Sequence, residues 1–139
     1  MTTIFQHGAT ETRRTLISGD LTGSIIGAAI EVHAALGPGL LESAYEECLC
    51  RELFLRGLAF RRQVELPVEY KGVKLDCGYR IDILVSDEIV LGLKAIERIA
   101  PVHEAQLLTY LRLSKKRVGL LINFAASALN RGGIVRRVL

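Results

Sequence analysis

The amino-acid sequence predicts one domain of the α/β (α+β) class, in which helices flank a mixed central β-sheet. Three observations support this prediction. Apolar residues recur at three- and four-residue steps up to about residue 56, the period changes to two from residue 60 onward, and a further helical stretch then separates strand-like segments. A chain of 139 residues suits one compact domain, and half of its residues are apolar, so a substantial core can be buried.

The N-terminal segment differs in composition from the rest of the chain. Residues 1–18 are polar and rich in Thr and Arg, which predicts a flexible or loosely docked arm, with an oligomer contact as the alternative. The single domain is then expected to span residues 19–139.

Two helices are predicted at the start of this domain. The first is expected to run from Asp20, its N-cap, to Leu36, because Gly37-Pro38-Gly39 stops it. The second is expected over residues 41–56, with Gly57 in a left-handed C-cap.

The next segments alternate between apolar and polar residues, as half-buried strands do. They comprise residues 60–65, residues 68–70 with a Lys71-Gly72 turn, a long strand over residues 73–85 bent at Gly78, a turn over residues 86–88, and residues 89–96. The turn at residues 86–88 predicts that the last two strands form a hairpin.

The C-terminal part of the chain returns to a helix and then to strands. Pro101 suits the first turn of a helix over residues 102–113. Residues 118–124 form an apolar run short enough for a buried strand, and residues 134–139 predict a last strand. The predicted order is therefore α-α-β-β-β-α-β(-β).

The net charge and the cysteine content indicate which partners and which cellular location the protein has. A net charge of +3 permits a polyanionic partner such as nucleic acid without requiring one. The odd number of cysteines, Cys48, Cys50 and Cys77, and the lack of a signal peptide or a membrane-length apolar stretch predict reduced thiols and a cytoplasmic location, with no membrane partner.

The predicted hairpin brings an acid and a base onto neighbouring strands. If residues 86–88 form its loop, position 82 faces 92 and position 80 faces 94, so Arg80, Asp82, Gly92 and Lys94 project on one face. A carboxylate that binds a hard divalent cation, beside a lysine that stabilises developing charge, suits metal-assisted phosphodiester hydrolysis. A structural ion pair between Asp82 and Lys94 is the alternative interpretation.

Two helices also carry polar residues of interest. His103, Gln106 and Tyr110 share one face of the third helix, which indicates either a functional stripe or a solvent-facing surface. Glu42 lies in the first turn of the second helix, where the helix dipole favours a carboxylate for structural reasons alone.

Gly39, Glu42 and Tyr45 form a Gly-x-x-Glu-x-x-Tyr pattern. Together with the surrounding IIGAAIEVHAALGPGLLESAYE and the later GLLINF, this pattern resembles the GxxExxY proteins over about residues 21–139. That family is placed in the PD-(D/E)XK nuclease-like superfamily, near its RecB-like branch.

The resemblance implies a role for five residues. Asp82 and Glu42 would bind a Mg²⁺ (or Mn²⁺) ion, Lys94 would be the lysine of a Glu-x-Lys motif, and Gln106 with Tyr110 would form the Gln-x-x-x-Tyr motif that supports substrate. The resemblance assigns no role to Arg80 or His33.

One position departs from the family pattern. Where Glu-Leu-Lys is expected, the chain has Gly92-Leu93-Lys94, and loss of this metal ligand predicts weak Mg²⁺ binding. Glu88 lies at the turn and Glu97 has the wrong parity to replace it.

Three functions remain open at this point. The first is a PD-(D/E)XK nuclease-like protein that is catalytically weakened or inactive. The second is an active Mg²⁺-dependent DNA nuclease, and the third is a non-catalytic homo-oligomeric assembly or nucleic-acid-binding protein.

Overall fold

The computed structural model describes the backbone of residues 11–139 and the side chains of residues 19–139. The elements are α1 (Glu11–Leu36), α2 (Glu42–Leu55), β1 (Phe60–Glu65), β2 (Val68–Tyr70), β3 (Val73–Leu75), β4 (Arg80–Val85), β5 (Ile89–Lys94), α3 (Pro101–Ser114), β6 (Val118–Asn123) and β7 (Ile134–Val138). The predicted mixed α/β architecture is confirmed.

Two sequence-based boundaries are wrong. The first helix begins at Glu11, so Asp20 lies inside it and is not its N-cap. The predicted strand 73–85 is two strands, because Asp76 Oδ1 accepts the N–H of Gly78 at 2.9 Å and turns the chain where Gly78 has φ +83°. The predicted arm falls largely outside the described residues, since the side chains of residues 1–18 and the backbone of residues 1–10 are not described.

The main sheet has five strands in the order β1-β4-β5-β6-β7. Only β5 and β6 pair in parallel, with α3 as the connection between them, and the other neighbours are antiparallel. The predicted hairpin is present, with Val85 paired to Ile89. Strands β2 and β3 form a separate two-stranded ribbon.

Two apolar clusters lie on opposite faces of the sheet. The larger one joins α1 and α2 to one face through residues such as Ile25, Leu49 and Leu91. The smaller one joins α3 to the other face through Leu107 and Leu111 with residues that include Val90 and Leu121. No helix in the described part of the chain is long and apolar enough to cross a membrane.

Candidate active site

An open pocket lies where α3 packs over the sheet, close to the start of α2. Its lining residues are Glu42, Asp82, Gly92, Lys94, His103, Gln106, Leu107, Tyr110 and Leu121. All five residues singled out from the sequence are in this group, although they come from four different elements. The fold therefore brings together residues that are up to 68 positions apart (Glu42 to Tyr110) in the sequence.

Asp82 lies where β4 and β5 separate. The pairing of these strands stops at Ile83 with Leu91, so position 82 does not face 92 in a regular ladder as expected. The Asp82 carboxylate instead accepts the N–H of Leu93, with 2.7 Å between Oδ2 and N. This bond fixes one carboxylate oxygen of Asp82 against β5.

The environment of Asp82 favours its neutral form. Burial raises the pKa of this carboxyl group, and the nearby charges of Glu42 and Glu46 raise it further. The N–H of Leu93 and the charge of Lys94 oppose this effect. Lys94 acts on Asp82 only through its charge, since the two described side chains form no direct ion pair.

Lys94 is positioned by the strand that lies beside it. It is the last residue of β5 and pairs with Asn123 of β6, and its carbonyl accepts the N–H of Phe124 at 2.9 Å. The buried Asn123 side chain then holds the next stretch of backbone, because it accepts the N–H of Ile96 at 3.1 Å and donates to the carbonyl of Ile96 at 2.9 Å. The ammonium group therefore projects from a fixed backbone.

The Gly-x-x-Glu-x-x-Tyr pattern has a direct structural explanation. Gly39 has φ +112°, a conformation that a side chain disfavours. The Tyr45 hydroxyl accepts the N–H of Leu40 at 3.2 Å and donates to the carbonyl of Gly37, which closes the loop before α2. Glu42 begins the helix that follows and lies at the pocket. Gly39 and Tyr45 thus shape the loop that presents Glu42.

The same tyrosine joins this loop to the end of β6. Its ring stacks on Phe124 with 4.5 Å between centroids. His33 lies close to Phe124 and donates from Nε2 to the carbonyl of Ala126 at 2.8 Å. His33 is therefore a structural residue that links α1 to the loop after β6.

Helix α3 contributes the polar stripe His103, Gln106 and Tyr110, and the structure directs it at the pocket. His103 Nδ1 accepts the N–H of Ala100 at 2.8 Å, so in the neutral imidazole the proton is on Nε2. Burial raises the pKa of Tyr110, and the charge of Asp82 raises it further, which keeps its hydroxyl a hydrogen-bond donor. The stripe thus supplies neutral donor groups.

Gly92 forms part of the pocket floor and is buried. A Cβ at this position would lie 2.9 Å from Cδ2 of Leu121, on the neighbouring strand. An apolar side chain therefore occupies space beside the position where the family pattern places an acid.

Sequence reasoning missed or misplaced three residues near the site. Glu46 is buried one helical turn after Glu42 and acts on Asp82, which its i+4 spacing could have indicated. His103 lines the pocket, yet it was left out of the predicted site. Arg80 was expected on the face of Asp82, but it does not line the pocket and instead pairs with Glu65 and Asp76.

The donor set does not fit a resident divalent metal. The pocket has the carboxylates of Asp82 and Glu42, and one oxygen of Asp82 already accepts a backbone hydrogen bond. No group of three or more His, Cys, Asp or Glu residues that could hold a metal ion exists within residues 19–139. Glu88 and Glu97 are exposed and do not line the pocket, so neither supplies the missing ligand.

Comparison with known proteins agrees with this geometry. No curated protein and no solved structure matched the chain. The family model of the PD-(D/E)XK nuclease superfamily matches residues 19–138, nearly the whole described domain. The mixed sheet with helices on both faces and the pocket at Asp82 and Lys94 are consistent with this match. The chain therefore belongs to the PD-(D/E)XK nuclease superfamily.

Proposed function

We propose that this protein is a nucleic-acid-binding member of its superfamily in which metal-dependent phosphodiester hydrolysis is weakened or lost. One observation carries the proposal, namely that the pocket between Asp82 and Lys94 has Gly92 on its floor, with Leu121 beside it. Without an acid at position 92, two carboxylates remain to bind Mg²⁺ (or Mn²⁺). Because that ion takes few ligands from the protein, the absence of one carboxylate should weaken its binding.

The remaining groups suit a phosphodiester backbone. Lys94 supplies a positive charge, and Gln106, Tyr110 and His103 supply donors that can bind phosphate oxygens. One oxygen of the Asp82 carboxylate accepts the N–H of Leu93, so part of its hydrogen-bonding capacity is already used within the protein. Binding by the pocket is therefore compatible with the loss of hydrolysis.

Within the superfamily, we assign the chain to the GxxExxY proteins and to the RecB-like branch. The positions of Gly39, Glu42 and Tyr45 around one loop support the first assignment. The presence of both Gln106 and Tyr110 in the pocket supports the second.

The test is a cleavage assay on single- and double-stranded DNA with Mg²⁺ or Mn²⁺. It compares the wild type with Gly92→Glu and with Gly92→Glu/Leu121→Ala, since removal of Leu121 makes room for the new side chain. We expect no cleavage by the wild type and cleavage by at least one variant. Lys94→Ala in the active variant must abolish the signal, which excludes a contaminating nuclease.

The competing function is an active metal-dependent DNA nuclease, and one observation favours it. Glu46 is buried and close enough to Asp82 to raise the pKa of that carboxyl group, so it could replace the missing acid. Arg62 and Gln63 bind this carboxylate, at 2.9 Å and 3.1 Å, which argues against that role. Wild-type cleavage that Glu46→Gln abolishes, and that Glu47→Gln on the exposed face retains, would establish the active enzyme and overturn our proposal.

A homo-oligomeric assembly is the third candidate, favoured by apolar residues at the end of α2. Phe54 and Leu55 are 65% and 60% exposed. Light scattering after size exclusion measures the mass directly, and Phe54→Ser/Leu55→Ser is the matched variant. A mass above that of one chain which falls in the variant would support assembly through this surface.

A further inference from the structure

The β2–β3 ribbon is a separate feature beside the main sheet. Within residues 11–139 its strands pair only with each other, and its turn is formed by Lys71 and Gly72, both with positive φ. All side chains from Glu69 to Tyr79 are exposed. The ribbon therefore extends into solvent from the part of the chain that connects β1 to β4.

One face of the ribbon is apolar. Pairing of Tyr70 with Val73 and of Val68 with Leu75 places these four side chains on the same face. Tyr70 is 61% exposed and Val73 is 55% exposed. An isolated two-stranded hairpin is marginally stable in water, so an exposed apolar face of this kind gains stability from a partner.

Positive charge accompanies the aromatic residue. Lys71 Nζ lies 5.4 Å from the centroid of the Tyr70 ring, whereas Lys74 lies on the opposite face of the ribbon, where it pairs with Glu69. An aromatic ring beside a lysine is a pairing that stacks a base and neutralises the adjoining phosphate. A protein partner is less well matched, because four side chains cover much less than the roughly 800 Å² per partner of a stable protein–protein interface.

The base of the ribbon is connected to the pocket by one aromatic pair. Tyr79, which follows the ribbon, packs in a T-shaped arrangement with Tyr110, with 6.0 Å between ring centroids. Tyr79 is exposed and its carbonyl accepts the N–H of Leu66 at 2.9 Å, so its backbone is anchored at the base of the ribbon. Tyr79 thus connects the base of the ribbon to Tyr110, which lines the pocket.

We propose that the β2–β3 ribbon is a binding arm for single-stranded nucleic acid, in which Tyr70 stacks on a base and Lys71 contacts the adjoining phosphate. This inference rests on the proposed function, because the pocket would receive the same strand. It adds a binding site that lies outside the pocket and predicts a preference for unpaired bases.

Fluorescence anisotropy with a labelled oligothymidylate at low ionic strength tests this inference. The variants are Tyr70→Ala, Tyr70→Phe, Lys71→Ala, and Arg131→Ala as a charge-matched control in the loop before β7, at the other edge of the sheet. Loss of one stacking contact should weaken binding about 5-fold or more in Tyr70→Ala. Tyr70→Phe should retain binding, and Lys71→Ala should weaken it more than Arg131→Ala does.

The outcomes separate this inference from the proposed function. Binding that Tyr70→Ala and Lys71→Ala leave unchanged, but Lys94→Ala weakens, would overturn the role of the ribbon and retain that of the pocket. Equal or tighter binding of a duplex, or a dimer that Tyr70→Ala dissociates, would overturn the choice of partner. No binding of any oligonucleotide would overturn both proposals.

Discussion

The side chain of Leu121 lies where a side chain at position 92 would begin, with its Cδ2 2.9 Å from the position of a Cβ on Gly92. The two residues pair across the parallel strands β5 and β6. Glycine at position 92 and leucine at position 121 are thus mutually adapted, because the absence of a side chain at position 92 leaves room for Leu121.

Stability measurements should reveal this adaptation. Gly92→Ala is expected to lower the free energy of unfolding by about 1 kcal/mol, because displacement of Leu121 outweighs the gain from replacing a glycine in a strand. In the Leu121→Ala background the displacement disappears, and Gly92→Ala should instead stabilise by about 0.5 kcal/mol. Urea unfolding of the four proteins forms a double-mutant cycle.

A glycine without a neighbour in its way provides the control. Gly23 lies in α1 and a Cβ there would meet nothing within 4 Å, so Gly23→Ala should stabilise by up to about 1 kcal/mol. If Gly92→Ala were equally stabilising in both backgrounds, the adaptation between Gly92 and Leu121 would be disproved.

The raised pKa of Asp82 predicts a dependence of stability on pH. Because the folded state binds this proton more tightly than the unfolded state, stability is lost as pH rises from the ordinary aspartate value, near 4, through the raised folded pKa. Asp82→Asn removes the free-energy cost of ionising this half-buried carboxyl group, and its side-chain oxygen can still accept the N–H of Leu93. Its Tm should exceed that of the wild type at pH 7 and converge with it below about pH 4.

Asp87 offers a control of opposite sign. Lys116 and then Arg61 lower the pKa of this exposed carboxyl group. Its ionised form therefore contributes to folding stability at neutral pH, and this contribution disappears as pH falls through the lowered pKa. Asp87→Asn should therefore shift the pH profile of Tm in the other direction. Parallel profiles for the two variants would contradict both assignments.

The signature tyrosine can be tested through its hydroxyl group alone. Tyr45→Phe keeps the ring that stacks on Phe124 but leaves the N–H of Leu40 and the carbonyl of Gly37 without this partner. We expect a loss of about 1–2 kcal/mol in the free energy of unfolding. Tyr70→Phe, at an exposed tyrosine of the ribbon, should change stability by less than about 0.5 kcal/mol.

Much of the fold follows from local sequence signals. The short polar turn at residues 86–88 predicted the hairpin, and the structure gives Ser86 and Asp87 the positive φ that a tight hairpin turn requires. Periodicity placed α3 and the buried strand β6 within one or two residues of their observed bounds. The start of α1 was missed because polar residues near Glu11 indicate solvent exposure, which a helix also permits.

The candidate site needed more than local signals. The resemblance to a family grouped Glu42 with Asp82 and Lys94, and spacing alone left each of them with a structural interpretation. Where the pairing of β4 with β5 ends, the Asp82 side chain accepts the N–H of Leu93, a contact that no pattern of residues in the sequence predicts. Tertiary contacts of this kind decide the shape of the pocket, and sequence periodicity does not contain them.

Asn123 lies outside the pocket, but its tertiary contacts should affect the position of Lys94 within it. Asn123 is buried and its amide satisfies both backbone groups of Ile96, as well as the N–H of Ala125 at 3.2 Å. Asn123→Leu would leave these half-buried groups unpaired, which costs about 1–2 kcal/mol in the free energy of unfolding. It would also release the backbone that follows Lys94, so oligonucleotide binding by the folded variant should weaken as well. Asn130→Leu, at an exposed position, is the control and should change neither the free energy of unfolding nor oligonucleotide binding. If the stability of Asn123→Leu lies within about 0.5 kcal/mol of the wild type, Asn123 does not hold this segment in place.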